Sequence, residues 1–163
     1  MNQITAICPG SFDPVTLGHT DIITRASKMF SKVIVAVMPN AKKQSAFTPE
    51  ERAEMLSKCV ANLPNVEVEI YDGLLADFVD LKNAKAIVKG LRAISDFEYE
   101  FQMALMNEKM NKNAETVFFT TRAENLFLSS SAVKAIATKG GCIKDFVPEC
   151  VHDYIATELA KKN

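Results

Sequence analysis

Basic and hydroxyl side chains recur in the segments that follow apolar runs of this sequence. His19 follows the first run, Lys42 and Lys43 follow the second, and the stretches Lys89–Arg92 and Ser129–Ser131 come later. Such cations and hydroxyls, together with the N–H groups at helix starts, bind phosphate groups. The sequence therefore indicates a phosphate-rich ligand that is bound locally, because the formal net charge of the chain is only -1.

Several other chemistries lack their sequence signals. The chain has neither G-x-G-x-x-G nor G-x-x-x-x-G-K-[ST], so neither a dinucleotide fingerprint nor a P-loop enzyme is indicated. The cysteines never approach C-x-x-C spacing and we expect inert thiols, while the two histidines lie far apart and predict no zinc site. These residues are Cys8, Cys59, Cys142 and Cys150, with His19 and His152.

Composition predicts an ordinary globular protein with a single domain over residues 1–163. The chain has 163 residues, of which 48% are hydrophobic and 24% charged, and a domain has about 150 residues. Apolar stretches such as Val33–Met38 fall far short of the roughly 20 residues that cross a bilayer. No basic segment followed by a long apolar run opens the chain. We expect a cytoplasmic protein without a nucleic-acid or membrane partner.

Apolar runs and helical periodicity alternate along the chain. We predict five strands, at Gln3–Cys8, Val33–Met38, Val66–Ile70, Ala86–Val88 and Thr116–Thr120. We predict six helices, at Gly18–Phe30, from Thr48 to about Asn62, at Leu74–Lys82, from Ser95 to about Met110, at Ser129–Thr138 and from Pro148 to about Lys161. The helix starts rest on capping signals, including Thr48-Pro49-Glu50-Glu51 and Ser95-x-x-Glu98.

This alternation predicts an α/β fold, Rossmann-like, with a doubly wound five-stranded parallel sheet and helices on both faces. Ligands of such sheets bind beyond the carboxyl ends of the strands. The phosphate-binding side chains are expected to meet there.

Five motifs resemble those of the bacterial phosphopantetheine adenylyltransferases, a nucleotidyltransferase family. Pro9–His19 contains the T-x-G-H form of the family's H-x-G-H motif, and Leu128–Ser131 resembles its I-S-S-[ST] motif. Phe47–Arg52, Lys89–Arg92 and Asp96–Glu100 complete the match, in the family's order, from Ile7 to about His152.

The resemblance implies reversible transfer of an adenylyl group from ATP to 4′-phosphopantetheine with Mg²⁺, giving dephospho-coenzyme A and pyrophosphate in coenzyme A biosynthesis. It also implies a homohexamer and feedback by coenzyme A. The family carries arginine where this chain has Lys89, and a lysine keeps the charge but loses the bidentate fork.

The resemblance also implies roles for individual residues. His19, Lys43 and Arg92 would be catalytic, with Lys42 as the alternative to Lys43. The substrate phosphopantetheine would be bound by Ser11, Lys43, Leu75 and Lys89. ATP would be bound by Ser11, Phe12, His19, Gly90, Leu91, Arg92, Glu100, Asn125, Leu126, Phe127, Leu128, Ser129, Ser130 and Ser131. No residue is expected to ligate a metal, so Mg²⁺ would arrive with ATP.

The chemistry of such a transfer agrees with these residue types. The attacking phosphate oxygen is already anionic at neutral pH, so neither a strong general base nor a covalent nucleophile is required. Two anions must instead be aligned in line, and the growing charge must be stabilised by cations and N–H groups.

Other interpretations of the same residues stay open. The acceptor could be nicotinamide mononucleotide or glycerol phosphate, or the chain could be a regulatory module that only binds nucleotide. His19 and Ser129–Ser131 could act as helix caps, and Asp13 as a turn residue. The aromatic residues within and beside Asp96–Glu100 could serve subunit assembly.

Overall fold

The computed structural model describes residues 3–39 and 44–162, and the centre of this fold is a parallel sheet. Its strands are β1 (Thr5–Gly10), β2 (Lys32–Val37), β3 (Val66–Ile70), β4 (Ala86–Leu91) and β5 (Glu115–Thr120). They lie in the order β3-β2-β1-β4-β5, and every pair is parallel. The order reverses between β1 and β4, which makes the carboxyl ends of these two strands the switch point of the sheet.

Helices cover both faces of the sheet. They are α1 (Leu17–Met29), α2 (Pro49–Cys59), α3 (Leu75–Leu81), α4 (Ile94–Met110), α5 (Ser130–Thr138) and α6 (Glu149–Ala160), with a 3-10 turn at Ala123–Asn125. Residues of α1, α2, α5 and α6 pack into one core, and residues of α3 pack into the other. The α/β class and the predicted two-sided layering are confirmed.

The central strands are buried on both faces, as their unbroken apolar runs predict. In β1, Cys8 joins the core under α1 and α2, while Ile7 joins the core under α3. Val35 and Ile34 of β2 divide in the same way. This double burial holds the strand ends, and the loops that follow them, in a fixed relation to one another.

The start of α2 follows the predicted capping signals. The hydroxyl of Thr48 accepts a hydrogen bond from the N–H of Glu51, whose carboxylate accepts one from the N–H of Thr48. Pro49 occupies the first turn. The helix ends at Cys59 rather than near Asn62, because the chain turns after Val60, where the N–H of Leu63 bonds back to the carbonyl of Val60.

Four of the five predicted strands have different bounds in the structure. The second runs over Lys32–Val37 rather than Val33–Met38 and the fifth over Glu115–Thr120 rather than Thr116–Thr120, which are shifts of one residue. The first strand runs over Thr5–Gly10 rather than Gln3–Cys8, because Gly10 still pairs with Val37 of β2. The fourth strand continues past Val88 to Leu91, which pairs with Thr120 of β5. Pairing with a neighbouring strand, which the local pattern does not contain, sets where the first and fourth strands end.

The predicted capping box at the start of α4 is wrong. The helix begins at Ile94 after Ala93, with no side-chain cap, so Ser95 lies inside the first turn. The carboxylate of Asp96, rather than a capping side chain, accepts a hydrogen bond nearby, from the N–H of Arg92.

In the parts of the chain that the structure describes, no helix is long and apolar enough to cross a membrane.

Candidate active site

A cleft of about 1070 Å³ opens at the switch point of the sheet. Its walls come from the loop after β1, the end of β4, the start of α5 and one side of α4. The parallel strands thus bring together, at one edge, segments that are widely separated in the sequence.

His19 is held at the start of α1 by a reciprocal cap. The hydroxyl of Thr16 accepts a hydrogen bond from the N–H of His19 at 3.4 Å, and His19 Nδ1 accepts one from the N–H of Thr16 at 3.0 Å. Because Nδ1 is the acceptor, the proton of the neutral ring lies on Nε2. The capping interpretation of His19 and its place in the cleft are therefore both correct.

The surroundings of His19 keep its ring neutral. Burial first, and the positive charge of Arg92 second, lower the pKa of His19 from 6.5 to about 4. The ring of Phe12 meets the imidazole edge to face, with the centroids 5.0 Å apart. At neutral pH the side chain therefore offers a single, oriented N–H donor to the cleft.

The loop after β1 makes a strained turn beside His19. Phe12 has a φ of +50°, which costs energy for a residue other than glycine, and its ring is only 5% exposed. The ring lies over Gly10, where a Cβ atom would approach it to 2.9 Å. Arg52, itself 1% exposed, donates from Nη1 to the carbonyl of Ser11 at 2.8 Å and fixes the turn from below.

Asp13 is a structural junction rather than only a turn residue. Its carboxylate accepts hydrogen bonds from the N–H of Ala46 at 3.0 Å, the N–H of Phe47 at 2.9 Å and Lys134 Nζ at 2.7 Å. Burial by itself raises the pKa of Asp13, but these hydrogen bonds outweigh it and hold the pKa below its usual 3.8. One carboxylate thus joins the loop after β1, the segment before α2 and the helix α5.

The three serines at the start of α5 have different roles in the structure. Ser129 is the N-cap, and its hydroxyl accepts a hydrogen bond from the N–H of Ala132 at 3.0 Å. The hydroxyl of Ser130 donates to the carbonyl of Pro14 at 2.7 Å. Ser131 is exposed. Two hydroxyls therefore hold the helix start in place, while the first turn still presents N–H groups to an anion.

Lys89, Arg92 and Lys134, three cations among the described residues of the cleft, each have a carboxylate beside them. Lys89 Nζ lies 3.1 Å from Glu100 Oε2, and Arg92 Nε lies 3.1 Å from Asp96 Oδ2. Lys134 and Asp13 form the third pair. The pairs hold the cations in position, and they explain how a chain with a net charge near zero can present a cluster of cations.

Arg92 also connects two segments of the cleft wall, the end of β4 and residues 125–131. Its Nη1 donates to the carbonyl of Leu128 at 2.7 Å, just before the start of α5. The end of β4 and the 125–131 segment are therefore held as one wall.

Most of the residues predicted from the sequence line the cleft. Those that do are Ser11, Phe12, His19, Leu75, Lys89, Gly90, Arg92, Glu100, Asn125, Leu128, Ser129, Ser130 and Ser131. Leu91, Leu126 and Phe127 do not, since Phe127 packs on Phe146 and Leu126 is half exposed. Lys43, and its alternative Lys42, lie outside the described residues.

The structure adds an apolar wall that the motifs do not contain. Tyr99, Met103, Met106 and Met110 of α4 line the cleft, as does Leu75 at the start of α3. Their spacing of three to four residues places the four on one helical stripe, a signal that was present in the sequence. One half of the cleft is therefore polar and cationic, and the other half is apolar.

Lys134 is a cation of the cleft that was not among the residues predicted from the sequence. It lines the cleft one helical turn after Ser130, and both contact the loop after β1. Four-residue spacing from a predicted anion-binding helix start could have identified it.

No metal-binding cage lies among the described residues, since no three His, Cys, Asp or Glu side chains converge there. The carboxylates of the cleft lie instead beside Lys89, Arg92 and Lys134. Mg²⁺ prefers several oxygen ligands and often takes them from phosphates and water. These residues would fit an ion whose oxygen ligands come mainly from bound phosphates and water.

Comparisons with known proteins agree with this geometry. The cytidylyltransferase-like family model matches residues 7–136. The phosphopantetheine adenylyltransferase of Clostridium tetani (strain Massachusetts / E88) is 52% identical over 97% of this chain and 96% of its own length. The enzyme of that name from Clostridium kluyveri is 57% identical over 88% of both chains.

The fold also resembles a solved structure of a more distant protein. Plasmodium falciparum nicotinic acid mononucleotide adenylyltransferase, complexed with NaAD, superposes with a TM-score of 0.68 over 99% of this chain and 97% of its own. The identity is 15%, so the likeness concerns the fold alone.

Replacing Asp13 with asparagine should destabilise the protein by about 2–3 kcal/mol at pH 7, because Lys134 loses its charged partner in a half-buried site. The folded-state pKa of Asp13 is depressed, so its contribution is present above the unfolded value of 3.8 and is lost as the pH falls through the folded value. Urea unfolding at several pH values should show the difference from the parent protein shrinking below about pH 4. Asp153→Asn, at a fully exposed carboxyl, is the control, and an equal effect of both substitutions would contradict the junction.

Proposed function

We propose that this chain, which belongs to the phosphopantetheine adenylyltransferases of the cytidylyltransferase-like family, transfers the adenylyl group of ATP to 4′-phosphopantetheine. The family activity is adenylyl transfer in coenzyme A biosynthesis. The products would be dephospho-coenzyme A and pyrophosphate, and the reaction would be reversible and in line, without a covalent intermediate.

The observation that carries this proposal is the division of the cleft into two halves. ATP phosphates suit the half with His19, Arg92 and the start of α5, where N–H donors and cations converge. An acceptor with a phosphate at one end and a long, weakly polar arm suits the other half, from Lys89 to the stripe on α4. A short polar acceptor such as glycerol phosphate would leave that apolar wall uncovered.

The proposed step needs alignment and charge stabilisation only. An anionic oxygen of the acceptor phosphate attacks the α-phosphorus of ATP, and the bond from that phosphorus to the oxygen bridging to the β-phosphorus breaks. Pyrophosphate leaves with the electron pair. One phosphoanhydride forms as another breaks, so the free energies of the two sides are close and the step can run in reverse.

His19 and Arg92 would act on the developing charge. A neutral imidazole with its proton on Nε2 donates a hydrogen bond to a phosphoryl oxygen without having to lose a proton, which agrees with its pKa of about 4. Arg92 supplies a fixed positive charge beside it, and Lys89 holds the acceptor phosphate. Lys43 is the third proposed catalytic residue on the strength of the family resemblance.

The nucleotide itself would be bound by the other predicted residues that line the cleft, which are Ser11, Phe12, Gly90, Glu100, Asn125, Leu128, Ser129, Ser130 and Ser131. Asn125 is buried at the cleft wall, and Glu100 lies beside Lys89, where it can orient that cation. Mg²⁺ would enter as the MgATP complex and would neutralise charge on the phosphates. A cytoplasmic location fits these substrates.

Feedback by coenzyme A would act through binding at the same cleft. Coenzyme A differs from the proposed product, dephospho-coenzyme A, by one phosphate. It contains both the adenylyl and the pantetheine portions, so it would compete for both halves of the site.

A homohexamer is supported by an outward apolar face of α4. Ile94, Phe97, Phe101 and Leu105 are each at least 42% exposed and none of them lines the cleft. Phe97 and Phe101 stack with their centroids 5.4 Å apart. This face suits contact between copies of the chain, as the aromatic residues within and beside Asp96–Glu100 suggested.

An assay with different pairs of donor and acceptor tests the proposed function directly. Pyrophosphate release is measured with MgATP or MgCTP as donor, and with 4′-phosphopantetheine, nicotinamide mononucleotide or glycerol phosphate as acceptor. Release only with ATP and 4′-phosphopantetheine is expected. Release with another acceptor would overturn the substrate, and silence with every pair would support a regulatory nucleotide-binding module.

Two further experiments test the proposed mechanism. Dephospho-coenzyme A and pyrophosphate should regenerate ATP, which tests reversibility. A chiral α-thio analogue of ATP should give product with inverted configuration at phosphorus. Retention would indicate a covalent intermediate and would overturn direct attack.

Replacing His19 with glutamine should lower kcat by about 10²–10³-fold, because the donor aimed at the transition state is lost. Glutamine at this position can still cap the N–H of Thr16, so the helix start and the melting temperature should be preserved. His152→Gln on α6 is the matched control and should leave kcat unchanged. A His19→Gln variant with full activity would contradict the assignment.

Sedimentation of the purified protein should give a mass near six times 18.0 kDa. Phe101→Glu should release smaller species, because it places a charge on the apolar face of α4. Met29→Glu, at an exposed methionine of α1, should leave the mass unchanged. A parent protein that sediments at 18 kDa would rule out the hexamer.

A further inference from the structure

Two cysteines that do not line the cleft lie side by side. Cys59 is the last residue of α2 and Cys150 is the second residue of α6, and their Sγ atoms are 3.6 Å apart across 91 positions of sequence. Among the described residues the structure records a sulfur–sulfur contact for this pair alone.

The two thiols have complementary surroundings. Cys150 is exposed in the first turn of α6, where an oxidant in solution can reach its sulfur. Cys59 is half-buried at the end of α2, and burial together with Cys150 raises the pKa of Cys59 to about 12. Cys150 is therefore the thiol that reacts first, and Cys59 is the one that resolves the intermediate.

We propose that Cys59 and Cys150 form a reversible disulfide site whose oxidant is a low-molecular-weight disulfide. In the first step the Cys150 thiolate attacks one sulfur of the oxidant, which gives a mixed disulfide and releases one thiolate. In the second step Cys59 gives its proton to solvent and attacks Cys150 Sγ, which releases the other thiolate. Two protein thiols are oxidised, and one disulfide is reduced to two thiols.

The contact requires only a small movement. A disulfide has its sulfurs about 2 Å apart, so the pair must close by roughly 1.5 Å, at two helix ends. Farther along the antiparallel helix pair, Tyr154 of α6 already donates a hydrogen bond to Glu51 of α2 at 2.6 Å. The new bond would fasten the other end of this contact.

Closing a loop of this length restricts the unfolded chain strongly. The oxidised protein should therefore melt higher than the reduced protein, by at least about 5 °C. Arg52 of α2 binds the carbonyl of Ser11, and Phe47, just before α2, binds Asp13. The bond would therefore reinforce the scaffold of the cleft without entering it.

The test is a titration of the full-length protein with oxidised and reduced glutathione, followed by acid quenching. Free thiols should fall from four to two per chain, the chain mass should fall by two hydrogen atoms, and peptide mapping should join Cys59 to Cys150. Cys142→Ser, at an exposed cysteine with no sulfur neighbour in the described chain, should behave like the parent protein.

The two remaining variants separate the steps. In Cys59→Ser a glutathione adduct should remain on Cys150, whereas in Cys150→Ser the Cys59 thiol should stay unmodified. Survival of all four thiols, a bond to Cys142, or a disulfide between chains would overturn the site. An unchanged melting temperature of the oxidised chain would overturn its stabilising role. None of these readouts depends on transferase activity.

Discussion

The geometry of the cleft depends on the hydrogen bonds and the ion pair that the carboxylate of Asp13 forms. A carboxylate that is 5% exposed would be costly to bury without partners, and here two N–H groups and an ammonium group surround it. These partners come from the segment before α2 and from α5. This one carboxylate therefore joins three segments that are distant in sequence at the end of β1.

Arg52 supports the same loop from the opposite side. It is almost fully buried, and its guanidinium binds the carbonyl of Ser11 at one end of the strained turn that contains Phe12. The strain at Phe12 is therefore carried by hydrogen bonds formed elsewhere in the fold. The result is a rigid turn that sets the position of the ring of His19.

The cleft combines fixed cations with a neutral histidine. Pairing of Lys89, Arg92 and Lys134 with carboxylates restrains long side chains that would otherwise lose conformational entropy on binding a phosphate. Such preorganisation is what adenylyl transfer requires, since its barrier arises from bringing anions together. Helix α4 links this site to the outer surface, because its methionine stripe faces the cleft while Phe97 and Phe101 face outwards.

The local sequence determined the fold class and most of the predicted residues that line the cleft. Apolar runs and helical stripes of period 3.6 depend on neighbouring residues, so five strands and six helices could be predicted. The resemblance to known motifs selected Ser11, His19, Lys89 and Arg92, and all four line the cleft. The tertiary structure alone decided which groups meet across that framework. Asp13 pairs with Lys134, the Ser130 hydroxyl bonds to Pro14, and Cys59 contacts Cys150. The ends of β1 and β4 are likewise set by pairing with neighbouring strands. Each of these contacts joins segments that are distant in sequence. Such contacts follow from the order of the strands and the angles between packed helices, and neither is contained in the periodicity of a single segment.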